Sequence, residues 1–194
     1  LGGALDLYKQ IEKHDRDNLS TIVVGPWAHG QWARGPSDRL GNYRFGSDTV
    51  AFYQKEIEAP FFSFHLKDKG EYVPPEAFMF QTGSNEWKKY EHWPPQDQVD
   101  RVRFYCHASG TLSHQIDAET QQSFTEFVSD PAKPVPYSKR PIMGFWQGMP
   151  NSKDSRFERS GILWKVEDQR FVSDRPDVLV FQTEPLEESV EVTG

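Results

Sequence analysis

Residues 21–32, TIVVGPWAHGQW, contain a clear strand signal and, directly after it, a single histidine. Residues 21–24 are almost wholly apolar and β-branched, which is typical of a short strand buried in a parallel sheet. Gly25 and Pro26 then stop the strand, because proline has no N–H to donate to a ladder. The loop that follows presents His29 between glycines and two tryptophans. We therefore predict a buried strand that runs straight into a loop carrying His29.

Helical and strand patterns alternate on both sides of this strand. Apolar residues spaced three and four apart over residues 1–11 predict an amphipathic helix. Asp48 is placed to cap a second helix, which Pro60 should kink or split. The apolar face of that helix holds Val50, Tyr53, Ile57, Phe61 and Phe64. Residues 76–82, EAFMFQT, predict another buried strand, so residues 1–96 are expected to form an α/β domain.

The pattern changes at HWPPQDQ, where two prolines and a polar run interrupt it. Beyond this point, β-like runs separated by Pro, Gly, Asp and Ser occur without helical periodicity, at residues 102–106, 124–128, 178–183 and 190–192. Such a pattern predicts an all-β domain over residues 97–194, so the expected fold class is α/β followed by all-β. The mixed charges of residues 167–177 predict a solvated or internally paired turn, with an acid/base site as the alternative.

Composition limits the classes of partner. The 194 residues carry a net charge of −7 without any Lys/Arg stripe, which argues against nucleic acid or an anionic membrane surface as a partner. No apolar run approaches the ~20 residues that span a bilayer. The single cysteine, Cys106, excludes an internal disulfide and a Cys-based zinc site. The histidines show no metal-ligand spacing near carboxylates, so we predict neither a metal nor a cofactor.

A histidine that follows the C-terminal end of a parallel strand lies where open α/β sheets form their ligand crevice. An imidazole can take and return a proton near neutrality, as activation of a hydroxyl nucleophile requires. The alternative is that His29 is a loop residue packed against the neighbouring tryptophans. No G-x-S-x-G elbow occurs, because Ser47, Ser84 and Ser109 lack the second flanking glycine. In α/β-hydrolases the serine and the acid precede the histidine, so both would lie before Leu1.

A series of sequence blocks resembles one hydrolase family. In chain order the blocks are VVGPWAHGQWAR, FYQKEIEAPFFSFHLKDKG, FQTGSNEW, HWPP, FVSDPAKPVPY, EDQR and RPDVLVFQTEPLEESVEVTG. They are similar, in this order, to blocks of the α-amino acid ester hydrolases and glutaryl cephalosporin acylases. Those enzymes group with cocaine esterase in the X-Pro dipeptidyl-peptidase family of serine hydrolases. The resemblance covers nearly the whole chain.

The resemblance implies an α/β-hydrolase domain with an inserted helical cap and a C-terminal jelly roll (a β-sandwich). This chain would hold the end of the first domain and the start of the jelly roll. His29 matches the histidine of the family's Gly-Pro-Trp-x-His block, which implies that it is the catalytic general base. The family's serine and acid would lie upstream, as would the acidic residues that bind a substrate's ammonium group. Phe145 and Trp146 fall about where a jelly-roll segment approaches the acyl pocket, which implies a substrate-binding role.

The implied activity is hydrolysis or acyl transfer on small ester or amide substrates, with α-amino acyl or β-lactam-type acyl groups. The residues leave the compartment open, and only the resemblance suggests a secreted or periplasmic protein. Two other functions stay open: X-Pro dipeptidyl-peptidase activity, and a non-catalytic jelly-roll module for binding or assembly. The absence of an initiator Met and the strand pattern that begins at residues 190–192 suggest a segment of a longer polypeptide. Such a segment would be inactive without its upstream part, and unpaired strand edges leave homo-oligomerisation open.

Overall fold

The structure is a computed structural model that describes residues 2–17, 19–97, 99–116, 118, 124–138 and 166–193. The chain forms two compact units, Leu1–Asp97 and Gln98–Gly194. Within the described ranges, no helix combines the length and the apolar character that a bilayer crossing needs.

A three-stranded mixed sheet organises the first unit. Strand β1, Ile22–Val24, runs parallel to β4, Ala77–Gln81, with Val23 opposite Phe78. Both predicted strands are therefore confirmed. The antiparallel pair β2, Arg39–Leu40, and β3, Tyr43–Arg44, forms a separate two-stranded sheet.

The third strand of the main sheet, β5, comes from a hairpin that the sequence patterns did not predict. Strand β5, Glu86–Tyr90, pairs antiparallel with β4, and Phe80 lies opposite Trp87. The four-residue connection contains Gly83 (φ 96°) and Asn85 (φ 58°), two residue types that tolerate the left-handed region that a tight turn needs. The charged sequence EWKKY becomes a strand because β4 offers it an edge, rather than through its own propensity.

The predicted second helix begins at its cap and is divided as expected. Asp48 accepts hydrogen bonds from the backbone N–H groups of Val50 and Ala51, and it starts α2, Thr49–Phe52. A π-helical turn, Tyr53–Glu58, leads into α3, Ala59–Lys67, with Pro60 in the first turn of α3.

Proline explains the wider turn between the two helices. Pro60 has no N–H, and in a continuous α-helix its ring would clash with the carbonyl four residues earlier. In the observed turn the Ala59 N–H instead reaches back five residues to the Gln54 carbonyl. The ring is therefore accommodated without breaking the helical path.

A cluster of half-buried aromatic rings lies between the helices and the sheet. Trp87 stacks on Phe52 of α2, with ring centroids 5.3 Å apart, and meets Phe80 edge-on at 5.4 Å. The first helix, α1, Gly2–Ile11, buries only Tyr8, and Ile11 stays 40% exposed. The predicted apolar face of α1 is thus only partly covered by the described residues.

The second unit contains β structure, in agreement with the predicted class. Strand β6, Tyr105–Cys106, pairs antiparallel with β7, Leu112–Ser113, and Thr111 forms a parallel bridge to Gln182. Residues 124–128 and 190–192 form no strand with a described neighbour. Of the other two predicted runs, only residues 105–106 and Gln182 pair with another segment. A strand exists only where a second strand supplies the ladder partners, and local propensity cannot supply them.

The charged segment at residues 167–177 is an internally paired turn, as predicted. Asp168 caps a short 3₁₀ helix, Gln169–Val172, by accepting from the Arg170 N–H, and it also pairs with the Arg170 guanidinium. Arg175 pairs with Asp177 at 2.6 Å and donates to the Lys133 carbonyl at 3.0 Å. These cations and carboxylates satisfy one another, and the acid/base alternative loses its support.

Candidate functional site: the His29 loop

The His29 loop, residues 25–30, leaves the sheet at the C-terminal end of β1. His29 is exposed in a turn five residues after Val24, the last residue of the strand. Gly30 adopts a left-handed conformation (φ 69°) and starts a 3₁₀ turn, Gln31–Ala33. The imidazole faces the Trp32 indole edge-on, with ring centroids 6.2 Å apart and planes at 78°. The predicted position of His29 beyond a parallel strand is therefore observed.

The entry to the loop is folded tightly around a glycine. The Trp27 N–H donates to the Gly25 carbonyl at 2.9 Å, so the chain turns back at Pro26. A Cβ at residue 25 would lie 2.5–2.6 Å from the Trp27 indole, closer than side-chain atoms approach one another. With the indole in this position only glycine fits at residue 25, because any Cβ would overlap the ring.

Trp27 also fastens the loop to helix α2. Its indole Nε1 donates to Thr49 Oγ1 at 2.9 Å, and that hydroxyl donates to the Ser37 carbonyl at 3.0 Å. Thr49 has no exposed surface. The indole packs edge-on against Tyr53 of the π-helical turn at 5.2 Å and lies 5.7 Å from Trp87. The loop therefore rests on a rigid base although His29 itself faces solvent.

Asp48, at the start of α2, is ionised and anchors the segment that supports the His29 loop. Burial opposes its ionisation, but N–H donors from Ser37, Ala51 and Val50 outweigh burial and keep the pKa of Asp48 below its usual range. The donors at Ser37 and Val50 lie 2.9 and 3.1 Å from Oδ1. One carboxylate thus joins the loop at residue 37 to the start of α2.

A serine–histidine contact occurs in the second unit, and it is structural. His107 Nε2 lies 2.8 Å from Ser113 Oγ, whose hydroxyl donates to the Gln115 carbonyl at 2.8 Å. Because that hydroxyl proton is already committed, the imidazole must donate to the oxygen rather than accept from it. This pair stabilises the β6–β7 hairpin and does not activate a nucleophile.

Several predicted features have no structural counterpart to compare. Phe145 and Trp146, the residues assigned to the acyl pocket by resemblance, lie outside the described residues. Where the structure describes the chain, it brings no group of three His, Cys, Asp or Glu side chains together around a possible metal position.

Sequence reasoning missed Ser37 and Thr49 entirely, because nothing in their local sequence signals a partner in the loop.

Comparison with known proteins defines the class. A family profile described as the X-Pro dipeptidyl-peptidase C-terminal non-catalytic domain matches residues 73–194, and the chain belongs to the X-Pro dipeptidyl-peptidase family. Cocaine esterase from Rhodococcus sp. (strain MB1 Bresler) is 30% identical over an aligned length of 193 residues. The alignment covers 92% of this chain and 30% of that protein.

Two solved structures resemble the chain closely. An aminopeptidase from a marine sediment archaeon, Thaumarchaeota archaeon, superposes with a TM-score of 0.80 at 35% identity. An α-amino acid ester hydrolase superposes with a TM-score of 0.76 at 36% identity. Each superposition covers 96% of this chain, but only 28% and 29% of the respective structures. The chain thus spans less than a third of these relatives, all of which are named as hydrolases.

The His29 loop precedes the region that the family profile matches. That region starts at residue 73, so it includes the β4–β5 hairpin of the first unit and all of the second unit. The description of the matched domain as non-catalytic therefore does not apply to His29.

Proposed function

We propose that this chain is part of a serine hydrolase that cleaves ester or amide bonds of small acyl substrates, with His29 as the general base. One observation carries the proposal: an exposed histidine follows the C-terminal end of a parallel strand, on a loop tied to the fold through Trp27. Open α/β sheets place their ligand crevice at this edge. A catalytic imidazole needs both access to substrate and a fixed backbone, and the loop provides both.

In the proposed reaction His29 accepts the proton of a serine hydroxyl as the serine oxygen attacks the substrate carbonyl. The imidazolium then donates this proton to the departing alcohol or amine, which leaves an acyl-serine ester. Water attacks that ester while His29 accepts a proton from the water, and the serine leaves with the proton restored. The serine and an acidic partner of His29 would come from outside these 194 residues, since the chain contains no G-x-S-x-G elbow.

The names of the relatives favour an α-amino acyl group as substrate, with a β-lactam-type acyl group as the second choice. One relative is an α-amino acid ester hydrolase and another is an aminopeptidase, and both names imply a free amine beside the carbonyl. X-Pro dipeptidyl-peptidase activity is the main alternative, because the family description names it. The second unit would then act as a non-catalytic module.

The test uses the full-length polypeptide that contains this chain. The wild-type protein is expected to hydrolyse an α-amino acid p-nitrophenyl ester and to gain one adduct with a fluorophosphonate, detected by intact-mass analysis. His29→Ala should lower turnover by about 10³-fold or more, as removal of a triad member does. The matched control, His14→Ala, changes an exposed histidine at the end of α1 and should keep full activity. Retention of more than about a tenth of the activity in His29→Ala would contradict the proposal.

An X-Pro substrate distinguishes X-Pro dipeptidyl-peptidase activity from hydrolysis of α-amino esters. A dipeptidyl chromogenic amide with proline before the scissile bond should be a poorer substrate than the α-amino ester by kcat/KM. A reversal of that order would assign the protein to the peptidase branch, with the role of His29 unchanged.

A further inference from the structure

Gln31 makes an unusual set of hydrogen bonds beside His29. Its side-chain Oε1 accepts from the Ala28 N–H at 2.8 Å, while its own backbone N–H donates to the Ala28 carbonyl at 3.1 Å. Ala28 is the residue directly before His29. Gln31 thus holds both peptide planes of Ala28: its side-chain oxygen holds the Trp27–Ala28 peptide, and its backbone N–H holds the Ala28–His29 peptide.

The other end of the same amide is anchored in the fold. Gln31 Nε2 donates to Ser37 Oγ at 2.5 Å and to the Arg39 carbonyl at 3.3 Å. Ser37 is only 3% exposed, which is unusual for a loop serine. A buried hydroxyl must find partners, and this one accepts from the glutamine amide and donates to the Arg39 carbonyl at 3.1 Å.

Ser37 is in turn fixed to the first turn of α2 by its backbone. Its N–H donates to Asp48 Oδ1 at 2.9 Å, and its carbonyl accepts from the Thr49 N–H at 2.9 Å. A continuous hydrogen-bond path therefore runs from Ala28 through Gln31 and Ser37 to the helix. Trp27 reaches the same helix by a separate bond to Thr49.

We infer that Gln31 is a positioning residue: its side-chain amide holds the Trp27–Ala28 peptide and thereby orients the imidazole of His29, the next residue, without touching the reacting atoms. The inference rests on the proposed role of His29 as general base. A displacement of about 1 Å in a catalytic group can cost ~10²-fold in rate, so loss of this amide should act on the chemical step. The fold should survive, since Trp27 still ties the loop to α2.

The test compares Gln31→Ala with Gln31→Glu in the full-length enzyme. Glutamate keeps an oxygen for the Ala28 N–H but loses the N–H donors to Ser37 and Arg39. Gln31→Ala is expected to lower kcat by about 10–100-fold with KM changed less than about 2-fold, and to slow fluorophosphonate labelling equally. Gln31→Glu should recover kcat to within about 5-fold of wild type. Gln10→Ala, which removes an exposed glutamine of α1, is the matched control and should leave both constants unchanged.

The outcomes separate this inference from the proposed function. If His29→Ala abolishes activity but folded Gln31→Ala keeps kcat within 2-fold, the positioning role is wrong and the general base stands. If His29→Ala stays active, the proposed function itself fails. If Gln31→Ala does not fold, the test rests on Gln31→Glu. A kcat within about 5-fold of wild type supports the inference. A folded Gln31→Glu protein with kcat lowered more than about 10-fold overturns it.

Discussion

Trp27 and Thr49 are joined by a 2.9 Å hydrogen bond from the indole Nε1 to the threonine Oγ1, across 22 positions of sequence. The indole belongs to the loop that presents His29, and the threonine is the first residue of α2. Because Thr49 has no exposed surface, water cannot take the place of the indole as a partner for its hydroxyl. This bond couples the orientation of the loop to the packing of the helix.

Removal of the Thr49 hydroxyl should destabilise the first unit. Thr49→Val keeps the shape of the side chain but leaves the Trp27 N–H and the Ser37 carbonyl without this partner, at a cost of about 1–3 kcal/mol. The loss should appear as faster amide exchange across residues 25–50 by hydrogen-exchange mass spectrometry. Thr49→Ser, which retains the hydroxyl, should lose less than half as much. Equal effects of the two substitutions would mean that the hydrogen bond contributes little.

A methyl group at Gly25 should disturb the loop without touching His29. Gly25→Ala places its Cβ against the Trp27 indole, and displacement of that ring should cost about 1–3 kcal/mol, as overpacking does. The midpoint of urea unfolding, followed by tryptophan fluorescence, should fall accordingly. Gly3→Ala, where nothing lies within 4 Å of the new Cβ in helix α1, should be neutral or slightly stabilising. A neutral Gly25→Ala would show that the ring moves freely.

Asp48 should stabilise α2 and the adjoining loop in a pH-dependent way. Asp48→Ala removes the acceptor of three backbone N–H groups, and we expect a loss of about 0.5–2 kcal/mol at pH 7. The folded pKa lies below 3.8, so the contribution of the carboxylate is complete above that pH and declines as the pH falls below it. Thermal unfolding should show that wild type exceeds Asp48→Ala in stability by less at pH 3 than at pH 7. Asp48→Asn should keep most of the capping stabilisation. If the stability difference between wild type and Asp48→Ala were larger at pH 3 than at pH 7, the assigned direction of the pH dependence would be wrong.

Glu12 should make the first unit less stable as the pH rises toward neutrality. Its carboxyl group neighbours the buried carboxylate of Glu76, which also accepts a hydrogen bond from the Tyr8 hydroxyl. Burial, the hydrogen bond and charge of Glu76, and the charge of Asp15 raise the pKa of Glu12 to about 7. The folded state therefore holds an extra proton between pH 4.5 and about 7, and stability falls as the pH rises across this window.

Neutralising Glu12 should remove that pH dependence. Glu12→Gln mimics the protonated acid and should raise the unfolding temperature at pH 8 by about 2–4 °C, with no difference from wild type at pH 4. Differential scanning fluorimetry across the pH range measures both values. The exposed Glu91→Gln serves as the matched control and should not alter the profile. A Glu12→Gln protein that is less stable than wild type at pH 8 would show that the carboxylate is favourable in the fold.

Some elements of the fold could be predicted because their causes are local. Residues 21–24 and 76–82 each carry an apolar run long enough for a strand, and both strands were found. Asp48 precedes a helical pattern, and Pro60 interrupts it, so the cap and the division of the helix followed from residue chemistry. The strand β5 did not follow, because its charged sequence becomes a strand only where β4 provides an edge.

The sequence by itself determined that a strand ends at Gly25-Pro26 and that one histidine follows it. The same residues carry the resemblance to the hydrolase family. Only the tertiary structure decided what holds that histidine in place, because Gln31, Ser37 and Thr49 meet only after the chain has turned back on itself. Hydrogen bonds between residues 6 to 22 positions apart depend on the path of the chain, and a buried amide or hydroxyl finds its partner only once that path is fixed.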